Sequence, residues 1–324
     1  MNEIIITTNK ATHAAFHIWG WEVPVYLFLG GITAGVMILA AWMVLKGKDD
    51  EYPVSTNRII LAAPVLITLG MTALFLDLGH KLYVWRFYTA FRITSVMSWG
   101  AWILLLVYPL SILLIAATFR KGYPRWYEKI MEWVDGSRFA FLGSIIGNIF
   151  DFAEKYKSRI AKANIPVGVL LGIYTGILLS SFGARPFWNS AILGPLFLVS
   201  GVSTGAALII LFAKTESERM FFTKVDLGLI AVELFMVVLF IIGMLTSTQQ
   251  HMDAVNLILG GAYTPVFWTG IVGIAILIPA FFEFLELKGR HVPALLASGL
   301  VLFGGFLLRF IMVDAGQVSA WLKY

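Results

Sequence analysis

Residues 77–102 read DLGHKLYVWRFYTAFRITSVMSWGAW, and the stretch lies between two apolar runs of membrane length. It packs three basic residues (Lys81, Arg86, Arg92), His80 and several Tyr and Trp side chains into a short connection. A carboxylate, Asp77, closes the apolar run before it. A polar-aromatic cluster, Ser95, Ser98, Trp99 and Trp102, opens the run after it. Polar and ionisable groups at the edge of a bilayer are costly, so such a knot reads as functional by default.

Working outward, the whole chain fits a membrane setting. It has 324 residues, 59% hydrophobic and 13% charged, with a mean hydropathy of +0.83. A soluble domain has about 45–50% apolar and about 25% charged residues. There is no cysteine, which excludes disulfides, thiolate-held metal and iron–sulfur ligation by this chain. The net charge of +5 is explained by basic loops rather than by nucleic acid. Residues 1–22 lack the basic and apolar regions of a cleavable signal peptide.

A spanning helix needs about 20 mostly apolar residues. Eight runs meet this: 23–45, 58–78, 93–119, 166–184, 188–213, 225–246, 265–287 and 292–313. All read as helices, because an open sheet would leave backbone groups unsatisfied in lipid. Of the 24 Lys and Arg residues, seventeen fall in the loops after the first, third, fifth and seventh runs. Six fall on the other side, and Arg309 lies inside the last run. The positive-inside rule places both termini and the 77–102 stretch on the periplasmic side of a bacterial inner membrane. Residues 1–22 and 314–324 are then periplasmic tails. The 120–165 connection is a cytoplasmic segment whose apolar centre is too short to cross. Trp126, Tyr127, Met131 and Trp133 alternate there with charges, the pattern of amphipathic helices lying along an interface.

An internal repeat organises the spans. A shift of 170 residues places Gly31-Ile32-Thr33-Ala34-Gly35 on Gly201-Val202-Ser203-Thr204-Gly205, and Thr94, Val96, Gly100 and Pro109 on Thr264, Val266, Gly270 and Pro279. Helix four matches helix eight once the long loop is deleted, with Pro166 on Pro293 and Gly172 on Gly299. Four helices is an even number, so both copies run the same way through the membrane. The expected fold is therefore all-α, with eight transmembrane helices in two four-helix bundles related by a parallel repeat. Residues 23–119 and 166–184 form the first bundle and 188–313 the second.

Chemistry is sought among groups at membrane depth or on one face. The five histidines are His13, His17, His80, His251 and His291, none near the middle of a span, so no haem is expected and no metal. Glu233, Glu283, Glu286 and Arg309 fall within spans and sketch a partial proton path. The competing readings are structural: Glu283 and Glu286 paired with Lys288 and Arg290, and Glu233 or Arg309 holding helices together. The outer face gathers His17, Asp77, His80, Tyr83, Arg86, Arg92, Arg185, Ser98 and Trp99. A quinol gives up two electrons and two protons, and wants hydrogen-bonding acceptors at its ring oxygens within an apolar, aromatic-walled slot. His17, Asp77, His80, Tyr83 and Trp99 are read as the binding set. Arg86, Arg92, Arg185 and Ser98 are read as orienting groups. A secondary transporter, or a proton-translocating subunit without a redox role, is the rival reading.

Three runs carry a resemblance: DLGHKLYVWRF from Asp77, SVMSWGAWIL from Ser95 and ARPFWNSAILGPLFLVSGVSTGAAL from Ala184. With these, the chain resembles the NrfD/PsrC-type membrane subunits of polysulfide, thiosulfate and related reductases. It departs from the family pattern at His80-Lys81, where Arg-Pro is usual, and at Val96, where Pro is usual. The resemblance implies a haem-free quinone-binding subunit, with menaquinone ahead of ubiquinone. It also implies an iron–sulfur electron-transfer subunit and a molybdopterin catalytic subunit as periplasmic partners. The family's pocket histidine falls on His17 and its acidic residue on Asp77; Tyr83 stands in for the pocket tyrosine. Terminal substrate and direction of electron flow lie outside this chain.

Overall fold

A computed structural model describes residues 19–135, 140–290 and 292–319. The described residues are helical or irregular, with no strand among them. The helices are α1 (Glu22–Lys46), α2 (Pro53–Asn57), α3 (Ala62–Asp77), α4 (Arg86–Thr89), α5 (Val96–Gly122), α6 (Pro124–Asp135), α7 (Ala140–Lys155), α8 (Lys157–Ser180), α9 (Leu193–Phe212), α10 (Glu216–Leu245), α11 (Gln249–Leu259), α12 (Ile278–Leu287) and α13 (Ala294–Val318). Residues Val266–Leu277 run into α12 in the wider π winding. Eight helices among the described residues are long and apolar enough to cross a membrane: α1, α3 with the turn before it, α5, α8, α9, α10, α12 with its π-wound start, and α13.

Residue choice explains several boundaries. Gly47 ends α1 with φ 65, a left-handed conformation that suits glycine. Thr215-Glu216-Ser217-Glu218 has the spacing of a capping box, and the Thr215 hydroxyl accepts from the Glu218 N–H at 3.2 Å. The Glu218 carboxylate does not fold back. It is buried, and accepts from the backbone N–H of Ser55 at 2.6 Å and its hydroxyl at 2.7 Å, tying α10 to the short α2.

The helix α8 begins at Lys157, upstream of the apolar run at 166–184, and carries Pro166 inside it. A proline inside a helix loses one backbone bond and crowds the preceding turn. Here the turn before it is held by Asn164, whose amide donates to Ile160 O at 2.9 Å and across to Leu110 O of α5 at 3.1 Å. Hydropathy alone starts the span too late because residues 157–165 are polar on one side and buried on the other. The connection between α5 and α8 forms the helices α6 and α7. Arg120 anchors α7 through Asp151 at 2.7 Å and Glu154 at 3.0 Å, leaving Trp126 and Trp133 exposed.

Two helices sit at the centre. α1 packs against α3, α8, α9 and α13, and α9 against α1, α8, α10 and α13. They cross through small residues. A Cβ on Gly201 would stand 2.7 Å from Gly31 O, one on Gly205 would stand 2.7 Å from Gly35 C, and one on Gly35 would meet Gly201 O. With no Cβ on these glycines, the two backbones touch directly, the small-xxx-small mode of membrane helix packing.

Candidate functional site

The end of the molecule that carries Asp77 contains a cavity of about 120 Å³. Its walls come from the start of α1, the end of α3, the 78–88 connection, the start of α5 and the end of α8. Apolar side chains dominate: Val23, Met71, Leu74, Phe75, Met97 and Leu104 among them. Asp77 is its carboxylate and is half-buried. Three phenols, Tyr26, Tyr88 and Tyr174, also line it. Tyr26 and Tyr174 are 2% and 7% exposed, so both phenols are buried. Burial raises the Tyr88 phenol above its ordinary value, so it stays a proton donor.

Local structure makes this cavity. The Leu78 backbone turns out of the helix after Asp77, ending α3 and leaving the carboxylate at the rim. Gly100 brings the α5 backbone against Tyr174: a Cβ at that position would overlap the phenol. Trp19 closes the side toward the chain start. Its ring stacks on Trp188 at 5.2 Å and meets Phe182 edge-on at 5.1 Å. Gln317 clamps its backbone with bonds of 2.9 and 3.0 Å.

The expected residues do not all meet here. Asp77 is on the cavity wall. His80 and Tyr83 lie outside it, exposed, with their rings 6.4 Å apart and the Arg86 guanidinium 4.5 Å above the Tyr83 ring. Trp99 is on the outside of α5 and donates to Ile93 O at 2.7 Å. Ser98 is buried. Its hydroxyl donates to Ala90 O at 3.1 Å and accepts from the Arg92 N–H at 3.0 Å, so it pins the loop to α5. Arg86, Arg92 and Ser98 line a shallow hollow that shares Phe87 and Met97 with the cavity. Arg185 donates to Ser319 O at 2.7 Å, tying the 183–190 connection to the end of α13. His17 lies outside the described residues.

The span-depth groups form a second set in α9, α10, α12 and α13. Arg309 is fully buried and donates to Gly305 O at 2.6 Å, Ser200 Oγ at 3.0 Å and Phe197 O at 3.1 Å. Glu233 neighbours the same Ser200 and Arg309. Glu286 pairs with Arg219 of α10 at 2.8 Å, rather than with Lys288 or Arg290. Glu283 meets Asp226, which accepts from Ser203 Oγ at 2.5 Å.

Sequence reasoning passes over Tyr26, Tyr88, Tyr174 and Asp226. A tyrosine within an apolar run looks like any core aromatic, and only packing against Gly100 distinguishes Tyr174. Asp226 falls at the start of the run 225–246 and looks like a boundary charge. Because α10 begins at Glu216, Asp226 is nearly three turns inside it. The capping spacing at Thr215 is the signal that finds it.

No group of His, Asp and Glu suited to a metal ion occurs among the described residues. The family described as Polysulphide reductase, NrfD matches residues 9–320. Protein NrfD of Escherichia coli K12 is 29% identical over 97% of this chain and 99% of its own length. The NrfD homolog of Haemophilus influenzae is 30% identical over 95% of this chain and 97% of its own length. A subunit of the polysulfide reductase of Wolinella succinogenes is 28% identical over 93% and 94% respectively. With eight membrane-length helices among its described residues and a family match nearly end to end, the chain is a multi-pass membrane protein that belongs to the NrfD family.

Proposed function

We propose that this chain is the quinol-reactive membrane subunit of a multi-subunit reductase, and that the cavity beside Asp77 receives the quinol ring. The observation that carries this reading is one carboxylate and three phenols set into an otherwise apolar cavity at the end of the spans. A quinol ring needs that combination: apolar walls for the ring and tail, and a few polar groups at its oxygens. Asp77 is the acceptor for a ring hydroxyl proton, within reach of water at the rim. Tyr26, Tyr88 and Tyr174 orient the ring by hydrogen bonds, and His17 completes the set from the segment before α1. The quinol supplies two electrons and two protons. This chain holds the ring and takes the protons, and with no cysteine it passes the electrons to a centre on a partner.

The relatives' names support an assembly, since one of them is a single subunit of a polysulfide reductase. We assign an iron–sulfur subunit and a molybdopterin catalytic subunit to the Asp77 face, the periplasmic side of the inner membrane by the charge rule. The exposed surface of residues 82–99, with Leu82, Tyr83, Trp85, Phe91, Ile93 and Trp99, is the docking ground. Here His80, Arg86 and Arg92 serve the interface rather than the ring. Menaquinone is preferred to ubiquinone. The two-bundle arrangement follows the repeat, with the Gly31/Gly35 and Gly201/Gly205 crossing at the axis relating the halves.

The test is quinol oxidation by the assembled complex. Asp77→Asn should abolish quinol-dependent turnover while electrons from an artificial donor still reach the catalytic subunit. Unchanged quinol turnover in Asp77→Asn and in Tyr174→Phe would remove the cavity from the mechanism. Solute movement by the purified protein, without a redox partner, would favour the transporter reading.

A further inference from the structure

The second half of the molecule contains a carboxyl pair with no cation beside it among the described residues. Asp226 of α10 and Glu283 of α12 are 0% and 1% exposed. Their carboxyl groups are neighbours on two packed helices. The Ser203 hydroxyl of α9 satisfies Asp226 Oδ1 at 2.5 Å. Among the described residues, Asp226 Oδ2 and both Glu283 oxygens meet no N–H or O–H donor. So Glu283 is a buried side chain whose polar neighbour, among the described residues, is another acid. Two carboxylates in contact cannot both carry charge in a dry site, because repulsion and lost hydration act together. A proton on one of them removes the second charge and becomes the hydrogen bond that joins them.

The surrounding charges of the described residues do not supply an alternative. From α10, Arg219 is engaged with Glu286 at 2.8 Å, and Glu233 adds further negative charge on the side toward the middle of the spans. From α12, Glu286 adds negative charge toward the nearer end of the spans. From α13, Arg309 is committed to Gly305 O, Ser200 Oγ and Phe197 O. α9 contributes Ser203 as a neutral donor.

We propose that Asp226 and Glu283 hold one exchangeable proton between them, forming a proton-binding site in the half of the molecule remote from the Asp77 cavity. Glu286 and Arg219 stand between the pair and the end of the spans that carries Lys46 and Arg120, and Arg219 is partly exposed there. Protons therefore exchange with that face. Toward the centre, Glu233 and Ser200 continue the polar line to Arg309. The proposal stands independently of quinol binding at Asp77.

Infrared spectroscopy of the purified full-length protein in detergent tests it. At neutral pH the wild type should show a protonated-carboxyl C=O band that shifts on transfer to heavy water. Asp226→Asn and Glu283→Gln should each remove the band, and Glu233→Gln should leave it. If either variant fails to accumulate, Ser203→Ala replaces it: losing the hydroxyl should shift the band without abolishing it. Absence of the band in the wild type would overturn the proposal. So would its persistence in both acid variants, an unchanged position in Ser203→Ala, or its disappearance on adding sodium, which would make the pair a metal-cation site.

Discussion

The phenol of Tyr174 in α8 lies directly over the bare Cα of Gly100 in α5, and this contact shapes one wall of the Asp77 cavity. A methyl group at Gly100 would occupy the place of the phenol. Gly100→Ala should therefore push Tyr174 into the cavity and raise the KM for quinol by about tenfold or more, equivalent to about 1.4 kcal/mol. The helix itself should be unharmed, since Ala is the better helix former. Quinol titrations of the complex, with an artificial donor as control, measure this.

The exposed outer-loop residues should separate from the cavity residues. His80→Ala and Tyr83→Phe should leave the quinol KM within about twofold, because neither side chain reaches the cavity, whereas Asp77→Asn should cost about 10²–10⁴-fold in turnover, the range of a lost proton-transfer group. If His80→Ala or Tyr83→Phe weakens anything, it should be retention of the partner subunit. Steady-state kinetics and co-purification separate the two effects.

Arg309 is buried and donates three hydrogen bonds. Its guanidinium fork spans carbonyls of two helices and a hydroxyl, and its Nη2 stands 2.6 Å from where a Cβ on Gly31 would be. Arg309→Met should destabilise the protein by about 3–5 kcal/mol by leaving Glu233 without its counter-charge. Arg309→Lys should rescue little, because a single ammonium cannot reproduce the fork. Thermal unfolding in detergent is the measurement.

The crossing of α1 and α9 should tolerate no side chain. Gly201→Leu should lower the amount of folded protein sharply, while Gly228→Ala, where a Cβ meets nothing within 4 Å, should be neutral. Membrane yield and monodispersity report the difference.

Glu218 should matter more than its place at a helix start implies. Glu218→Ala removes the acceptor for the Ser55 N–H and hydroxyl in a buried site. The expected cost is about 1–3 kcal/mol, the penalty for stranding buried donors. Glu218→Gln keeps an acceptor oxygen and should recover part of it.

Most of the architecture is legible in the residues. Eight apolar runs become eight spans because a helix is the one open-ended way to satisfy a backbone in lipid. Boundaries fail where polarity and burial part company, as at Lys157 and Glu216, since hydropathy measures the residue and not the neighbour that satisfies it. The repeat of Gly31/Gly35 in Gly201/Gly205 is visible in the sequence. That these glycines face each other is not, because nothing local says which glycines meet.

The site divides the same way. Asp77 stands out in sequence because a carboxylate ending an apolar run is costly, and the polar loop after it marks one face of the membrane. Composition by itself excludes disulfides and cysteine-held clusters, and the three ordered motifs point to the family. Tertiary structure decided that Asp77 shares a cavity with Tyr26, Tyr88 and Tyr174 while His80, Tyr83 and Trp99 face outward. It also decided that Asp226 and Glu283 become neighbours on two packed helices. The reason is physical: cost is a property of one residue in its medium and is written in the sequence. Partnership depends on how distant helices rotate and cross, and small residues such as Gly100 and Gly201 set that only once the helices are packed.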